Sequence, residues 1–329
     1  MSTKKNLLHV VLMIALSSGY GFAQLASMTA SGTSPAAVSR YLGRWDLTLK
    51  SPNNHKYPSW LDLTEDNGVL KAEMVGRWGS ARPLPQVQIA NGVLTFTSPK
   101  NEENSKTDMV FKGKLVGGMI SGTTTGPDGA RWTWTGVRAP ALENTATPKW
   151  GTPVSLFNGK NLDGWYQYPS SGSPSKHWTV VNGLLVSPGN GPELVSTKKF
   201  KNFKIHLEFN CGPTSNSGVY LRGRYEVQIE NDSVDEPPSH HTGGVYGFLA
   251  PSPELPRTTG EWQTFDITLI GRRVTVVQDG TTVINNKVIP GITGGALDSH
   301  EGEPGPIYLQ GSEKGHVSFR NIVVTPAIE

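Results

Sequence analysis

Apolar residues recur at every second position through most of this chain, and short turn signals cut the alternating runs into pieces. That pattern fits strands with one face on a core, not helices, whose apolar period is about 3.6. The clearest case runs from Asn216 to Asp232 as two short strands broken near Gly223. On the first, Val219 and Leu221 point one way while Tyr220 and Arg222 point the other. On the second, Tyr225, Val227 and Ile229 oppose Glu226, Gln228 and Glu230. No amphipathic helix of about ten or more residues stands out beyond the N-terminus. The 38 glycines and 24 prolines supply the tight turns that many short strands require.

Residues 1–23 have the layout of a secretory signal: Lys4 and Lys5, the apolar run Leu7 to Leu16, then the small-x-small site Gly21-Phe22-Ala23. The apolar run falls short of the roughly 20 residues that a membrane span needs. No cysteine follows it to carry a lipid. The expectation is a periplasmic or secreted protein without a membrane span. The only cysteine, Cys211, cannot form an intrachain disulfide, and it alternates in phase with Phe203, Ile205, Leu207 and Phe209 as a buried thiol would. A net charge of +3, with 17% charged residues and no Lys/Arg block, does not build the basic stripe that nucleic-acid binding requires.

Two all-β units are expected after a flexible leader at 24–40. Between residues 41 and 137 eight strand candidates are separated by turn signals such as Asp66-Asn67-Gly68, Asn91-Gly92 and Pro127-Asp128-Gly129. Consecutive hairpins of this length predict an up-and-down meander closing into a small barrel. Its opening Gly43-Arg44-Trp45 resembles the Gly-x-Trp of lipocalin-like barrels. Its tryptophans (Trp45, Trp60, Trp78, Trp132, Trp134) are candidates for core packing or for lining a ligand pocket, and no catalytic constellation is visible there. The proline-containing stretch 138–153 reads as a linker. From 154 to 329, ten or more short strands suggest two stacked sheets, a β-sandwich; one strand is placed at 244–249.

The second unit resembles the 3-keto-disaccharide hydrolase family, a former domain of unknown function with a concanavalin-like jelly roll. The residues carrying the match include Leu156-Phe-Asn-Gly-Lys-Asn-Leu-Asp-Gly-Trp165, Asn216-Ser-Gly-Val-Tyr-Leu-Arg222 and Tyr225-Glu-Val-Gln-Ile229. They continue through Thr242-Gly-Gly-Val-Tyr-Gly247, Gly260-Glu-Trp262 and Gly305-Pro-Ile-Tyr-Leu-Gln310. The resemblance implies cleavage of glycosides whose sugar carries a ketone at C3. That ketone acidifies the C2 proton, so a base can remove it, the enolate can expel the aglycone from C1, and water can add back. Such a site needs a base near C2, donors at the developing oxyanion and an acid at the leaving oxygen.

Glu226 is the first candidate for the catalytic carboxylate, since it sits on the polar face within a matched motif. Glu230 shares that face at the strand's end. Arg222 is either an orienting cation or a structural partner of Glu226. His240 and His241 lie in a loop, and adjacent side chains diverge, so at most one is expected to enter the site as base or ligand. Gln228 and Gln310 suit sugar hydroxyls because an amide both donates and accepts; Tyr220 and Tyr246 are stacking candidates. Glu226, Glu230, Asp232 and a loop histidine would also suit a divalent metal, although no spacing here is diagnostic of one.

The expected partner is an oligosaccharide or glycoside substrate. A non-catalytic carbohydrate-binding protein with the same concave surface is the alternative, and fold alone does not choose between them. A conventional retaining glycosidase needs carboxyl groups about 5–5.5 Å apart. Glu226 and Glu230, four residues apart on one strand, are separated by about 13 Å of backbone, which counts against that reading.

Overall fold

The computed structural model describes residues 35–142, 146, 148–168, 177–187, 189–230, 235–312 and 315–328. The expected signal and most of the expected leader therefore lie outside the described residues. The end of the leader, Pro35–Ser39, forms one turn of helix that buries Val38. No helix of the described residues is long and apolar enough to cross a membrane.

The chain is nearly all β, as the alternation predicts. The N-terminal strands are β1 (Gly43–Lys50), β2 (Lys56–Asp66), β3 (Val69–Val75), β4 (Arg82–Pro83), β5 (Gln86–Ala90), β6 (Val93–Ser98), β7 (Met109–Val116), β8 (Met119–Thr125) and β9 (Arg131–Arg138). They form one antiparallel sheet in the order β4-β3-β2-β1-β9-β8-β7-β6-β5. Consecutive strands pair throughout, except that β4 and β5 end the sheet and β1 joins β9. That is the up-and-down meander expected from the turn signals. The sheet curls until β3 and β5 come into contact, closing a small barrel around Leu47, Leu61, Ile89, Phe96, Phe111 and Trp134. Burying each such aliphatic or aromatic side chain contributes about 1.5–3 kcal/mol.

The remaining strands are β10 (Lys149–Trp150), β11 (Val154–Ser155), β12 (Trp165–Tyr168), β13 (Thr179–Val181), β14 (Leu184–Ser187), β15 (Glu193–Phe200), β16 (Phe203–Cys211), β17 (Ser217–Leu221), β18 (Tyr225–Ile229), β19 (Gln263–Ile270), β20 (Arg273–Gln278), β21 (Thr281–Val288), β22 (Gly305–Leu309) and β23 (Val317–Ile328). One sheet runs β13-β14-β23-β16-β19-β20-β21, with β10 and β11 also pairing with β23. The other runs β12-β15-β22-β17-β18. Their inner faces meet in a single apolar core, so this half is a two-sheet sandwich. Phe265, Ile267 and Leu269 alternate into that core as the sequence indicates. Cys211 is buried there too, and burial pushes its thiol up to about 11.

Three features depart from the sequence reading. Lys149–Trp150, inside the expected linker, pairs with β23. The strand expected at 244–249 is a turn instead, because the Phe248 and Leu249 amides fold back onto the Val245 carbonyl. β11, β12 and β15 have no counterpart among the expected strands; the pairing of β15 with β22 shifts register between Val195 and Lys199, a bulge that breaks the period-two pattern.

The barrel and the sandwich share their packing. Trp60 and Val75 from the N-terminal sheet belong to the sandwich core, and the Trp60 ring meets Phe248 edge-on at 5.4 Å. Thr48 and Ser299 join their hydroxyls across the same boundary at 3.0 Å. Asp46 of β1 faces Glu301, which Arg272 pairs from the sandwich side. Burial, reinforced by the Glu301 charge, pushes the Asp46 carboxyl up to about 8.

Candidate active site

The five-stranded sheet turns one face to the core and the other to a polar cleft, and its register sets which side chains meet. Tyr220 on β17 pairs with Glu226 on β18 and with Tyr308 on β22. In the next row Gly218 pairs with Gln228, and the Gln310 amide donates to the Gly218 carbonyl. Leu194 of β15 pairs with Leu309, so Glu193 comes beside Gln310. Period two then carries Val219, Leu221, Val227 and Leu309 into the core from the same strands. Unlike a solvated face, this one is covered: every residue of β17 and β18 is buried.

Gly218 is a condition of the site. A Cβ there would lie 2.2 Å from Glu226 Oε1 and 2.8 Å from its Cγ. The Glu226 side chain therefore lies flat across the space that any other residue at 218 would fill.

A cavity of about 220 Å³ opens over these rows, lined by Glu193, Tyr220, Glu226, Gln228, Tyr308 and Gln310, with Asn216 and Tyr246 at its side. The Tyr220 phenol lies 2.8 Å from Glu226 Oε2 and 2.7 Å from the Gly294 carbonyl oxygen. A phenol has one proton to give, so it satisfies one acceptor at a time. When it donates to Gly294, the bond to Glu226 requires a proton on the carboxyl. Tyr220 and Glu226 are thus built as a proton-sharing pair. The Tyr308 ring stacks on Tyr220 at 4.2 Å, and its hydroxyl lies against the Glu193 carboxyl, which also accepts from the Gly311 amide at 2.6 Å. Burial first, and then the adjacent carboxylates, push both phenols well above their ordinary value, so both keep their protons at neutral pH. Gln310 Oε1 is buried with no partner among the described residues, an acceptor suited to a sugar hydroxyl.

Of the residues singled out in the sequence, Glu226, Tyr220, Gln228, Gln310 and Tyr246 come together around the cavity. Glu230 stands one step outside, accepting from the Gln228 amide at 3.1 Å. His240 lies behind the wall, its ring stacked on Tyr246 at 4.4 Å and its Nδ1 2.9 Å from Glu236. His241 points the other way, to Glu254 at 3.0 Å. Arg222 leaves the polar face altogether. Its φ of 55° and the following Gly223 (φ 67°) form the tight turn of the hairpin, which takes Arg222 out of the strand's alternation. Its buried guanidinium instead donates to the Gly271 and Glu301 carbonyls and to the Tyr225 hydroxyl.

The expected metal donors do not converge. Glu226, His240 and His241 have the separate partners just described, and Asp232 lies outside the described residues. Among the described residues, no three His, Cys, Asp or Glu side chains are placed to hold one ion.

Glu193 and Tyr308 are the site residues that the sequence reading passed over. Tyr308 stood within a matched motif, Gly305 to Gln310; Glu193 opens the bulged strand that period two does not reveal. The barrel also reaches the cavity, through Trp78 and Gly79 in the turn between β3 and β4.

A model of the family described as the 3-keto-alpha-glucoside-1,2-lyase-like domain matches residues 152–325. A 3-keto-disaccharide hydrolase of Bacteroides thetaiotaomicron is 29% identical over 91 residues, covering 25% of this chain and 31% of that relative. The match thus spans about a third of that protein's length. Two solved structures of candidate glycosyl hydrolases from Parabacteroides distasonis are also similar. One is 26% identical with a TM-score of 0.46, covering 56% of this chain and 92% of that one. The other is 21% identical with a TM-score of 0.43, covering 54% and 94%.

Proposed function

The chain belongs to the 3-keto-alpha-glucoside-1,2-lyase-like family, and from that premise we propose that it cleaves the glycosidic bond of 3-keto-glycosides by elimination and hydration. A carboxylate takes the C2 proton, the C–H electron pair forms the C1–C2 double bond, and the bond from C1 to the aglycone oxygen breaks. The departing oxygen takes a proton from the enzyme. Water then adds its hydroxyl to C1 and a proton returns to C2, which completes a net hydrolysis.

The observation that carries this reading is the buried Glu226–Tyr220 pair on the cavity floor. It is a proton-transfer couple held away from bulk water. In this reading Glu226 accepts the C2 proton, and the Tyr220 hydroxyl keeps the carboxylate oriented and exchanges the proton with it. Tyr308, held neutral beside Glu193, would turn its one proton from that carboxylate to the other side of the sugar when substrate binds. Gln228 and Gln310 orient hydroxyl groups. Protonated, buried phenols are suited to donate to developing negative charge, because in a water-poor pocket each such hydrogen bond is strengthened.

The test is turnover of 3-keto-glucosides by the wild type and by Glu226→Gln, which keeps the shape and removes the base. Positioned acid–base groups contribute about 10²–10⁴-fold, so a loss of that size is expected. A wild type that binds oligosaccharides without turning over 3-keto-glucosides would falsify the enzymatic reading.

A further inference from the structure

The cavity is not closed by the sandwich alone, and the part that completes it is an aromatic side chain from the barrel. Four of the five barrel tryptophans are buried, at 3% exposure or less; Trp78 is 41% exposed and lines the cavity together with Glu226 and Tyr220. It is therefore not there to fill a core.

Its position is fixed from two sides. The Arg77 guanidinium covers the Trp78 ring at 3.8 Å. Arg77 is itself buried and bound to the fully buried Glu103, whose carboxylate also takes Arg82 at 2.6 Å and the Ser98 hydroxyl at 2.8 Å. That network anchors the turn in the barrel. On the sandwich side the turn packs directly on the loop that accepts the Tyr220 proton: a Cβ at Gly294 would fall 2.2 Å from the Gly79 carbonyl oxygen. The indole is thus held beside the Tyr220–Glu226 pair, and with Arg77 over one face its exposure falls on the rest of the ring.

We propose that Trp78 is a specificity-determining residue, the platform on which a second pyranose ring, the aglycone of the 3-keto-glycoside, rests. A rigid indole offers a large apolar surface for the C–H face of a sugar at little entropic cost. A platform borrowed from another part of the fold sits at the rim, where the leaving half of the substrate must extend. The inference rests on the proposed 3-keto-glycoside chemistry and assigns the barrel a share in substrate choice.

The experiment compares kcat/KM for a 3-keto-disaccharide and for methyl 3-keto-glucoside, in wild type, Trp78→Ala and Trp78→Phe. The ratio of the two values is expected to shift about tenfold against the disaccharide in Trp78→Ala, chiefly through KM, with a smaller shift in Trp78→Phe. Equal losses on both substrates, or no loss on the disaccharide, overturn the platform while leaving the chemistry standing. If the wild type turns over neither substrate, the chemistry itself has failed and the platform falls with it.

Discussion

One methyl group on the floor of the site tests how the catalytic carboxylate is held. In Gly218→Ala the new Cβ would start 2.2 Å from Glu226 Oε1, 2.8 Å from Cγ and 2.9 Å from Cδ. Contacts under 3.0 Å are essentially absent for real Cβ atoms, so the carboxylate oxygen must move by at least about 0.8 Å. Because the carboxylate moves as a unit, that displacement also carries Oε2 away and disrupts its 2.8 Å bond with Tyr220. A misplacement of about 1 Å at a reacting group can cost about 10²-fold in rate, and overpacking a buried site costs about 1–3 kcal/mol. In a half-chain of this size that corresponds to a fall in Tm of several degrees. Without Glu226 across the site, glycine to alanine in a strand would be neutral or stabilising by about 0.5–1 kcal/mol. The assay is therefore kcat on a 3-keto-glucoside together with thermal unfolding, repeated in the Glu226→Gln background. Gly218→Ala should lose about 10²-fold alone and add little to Glu226→Gln, because both changes disable the same group. Wild-type kcat with an unchanged or raised Tm would refute the placement of Glu226 over Gly218.

Tyr220→Phe removes the proton shared by Glu226 and the Gly294 carbonyl, so kcat should fall by about 10²-fold, with about 1–3 kcal/mol of stability lost in urea unfolding; full activity in this variant contradicts proton sharing. Arg222→Met should lower stability by about 1–3 kcal/mol for each buried carbonyl it leaves unpaired, while kcat per folded molecule stays near wild type; a stable variant with no activity would return Arg222 to the catalytic machinery. Asp46 gives a pH signature across the boundary between barrel and sandwich. Its carboxyl is raised from 3.8 to about 8, so between those values the native state holds a proton that the unfolded chain has released. Stability should therefore fall as pH rises through that window, by up to about 1.4 kcal/mol per pH unit. Asp46→Asn should flatten this slope in denaturant titrations from pH 5 to 8, and an unaltered slope contradicts the assignment.

The polar row of the hairpin was legible in the sequence because strands alternate strictly: Tyr220, Glu226 and Gln228 sit where period two puts them. Arg222 was misplaced by the same rule, since the rule fails at a residue with positive φ, and nothing in the Leu221-Arg-Gly-Arg224 sequence says which residue begins the turn. Glu193 was hidden by a bulge, which breaks periodicity at the place where the strand re-aims a side chain. Trp78 was visible as a tryptophan but not as part of the site, because contacts between separate parts of a chain leave no local pattern. The covering of the hairpin was equally non-local. Period two put Glu226 and Gln228 on a polar face but could not show that both are buried, nor that the 243–246 turn pairs its amides and carbonyls with the edge of β18.

Breaking of the C2–H bond is the step on which the proposed chemistry depends, and turnover in D2O reads it out. Water must enter the site to add to C1, and in entering it exchanges the proton held on the carboxyl. The released 3-keto-sugar should carry deuterium at C2, beyond the level reached by the free sugar over the same time. Release of the aglycone with only protium at C2 would contradict it.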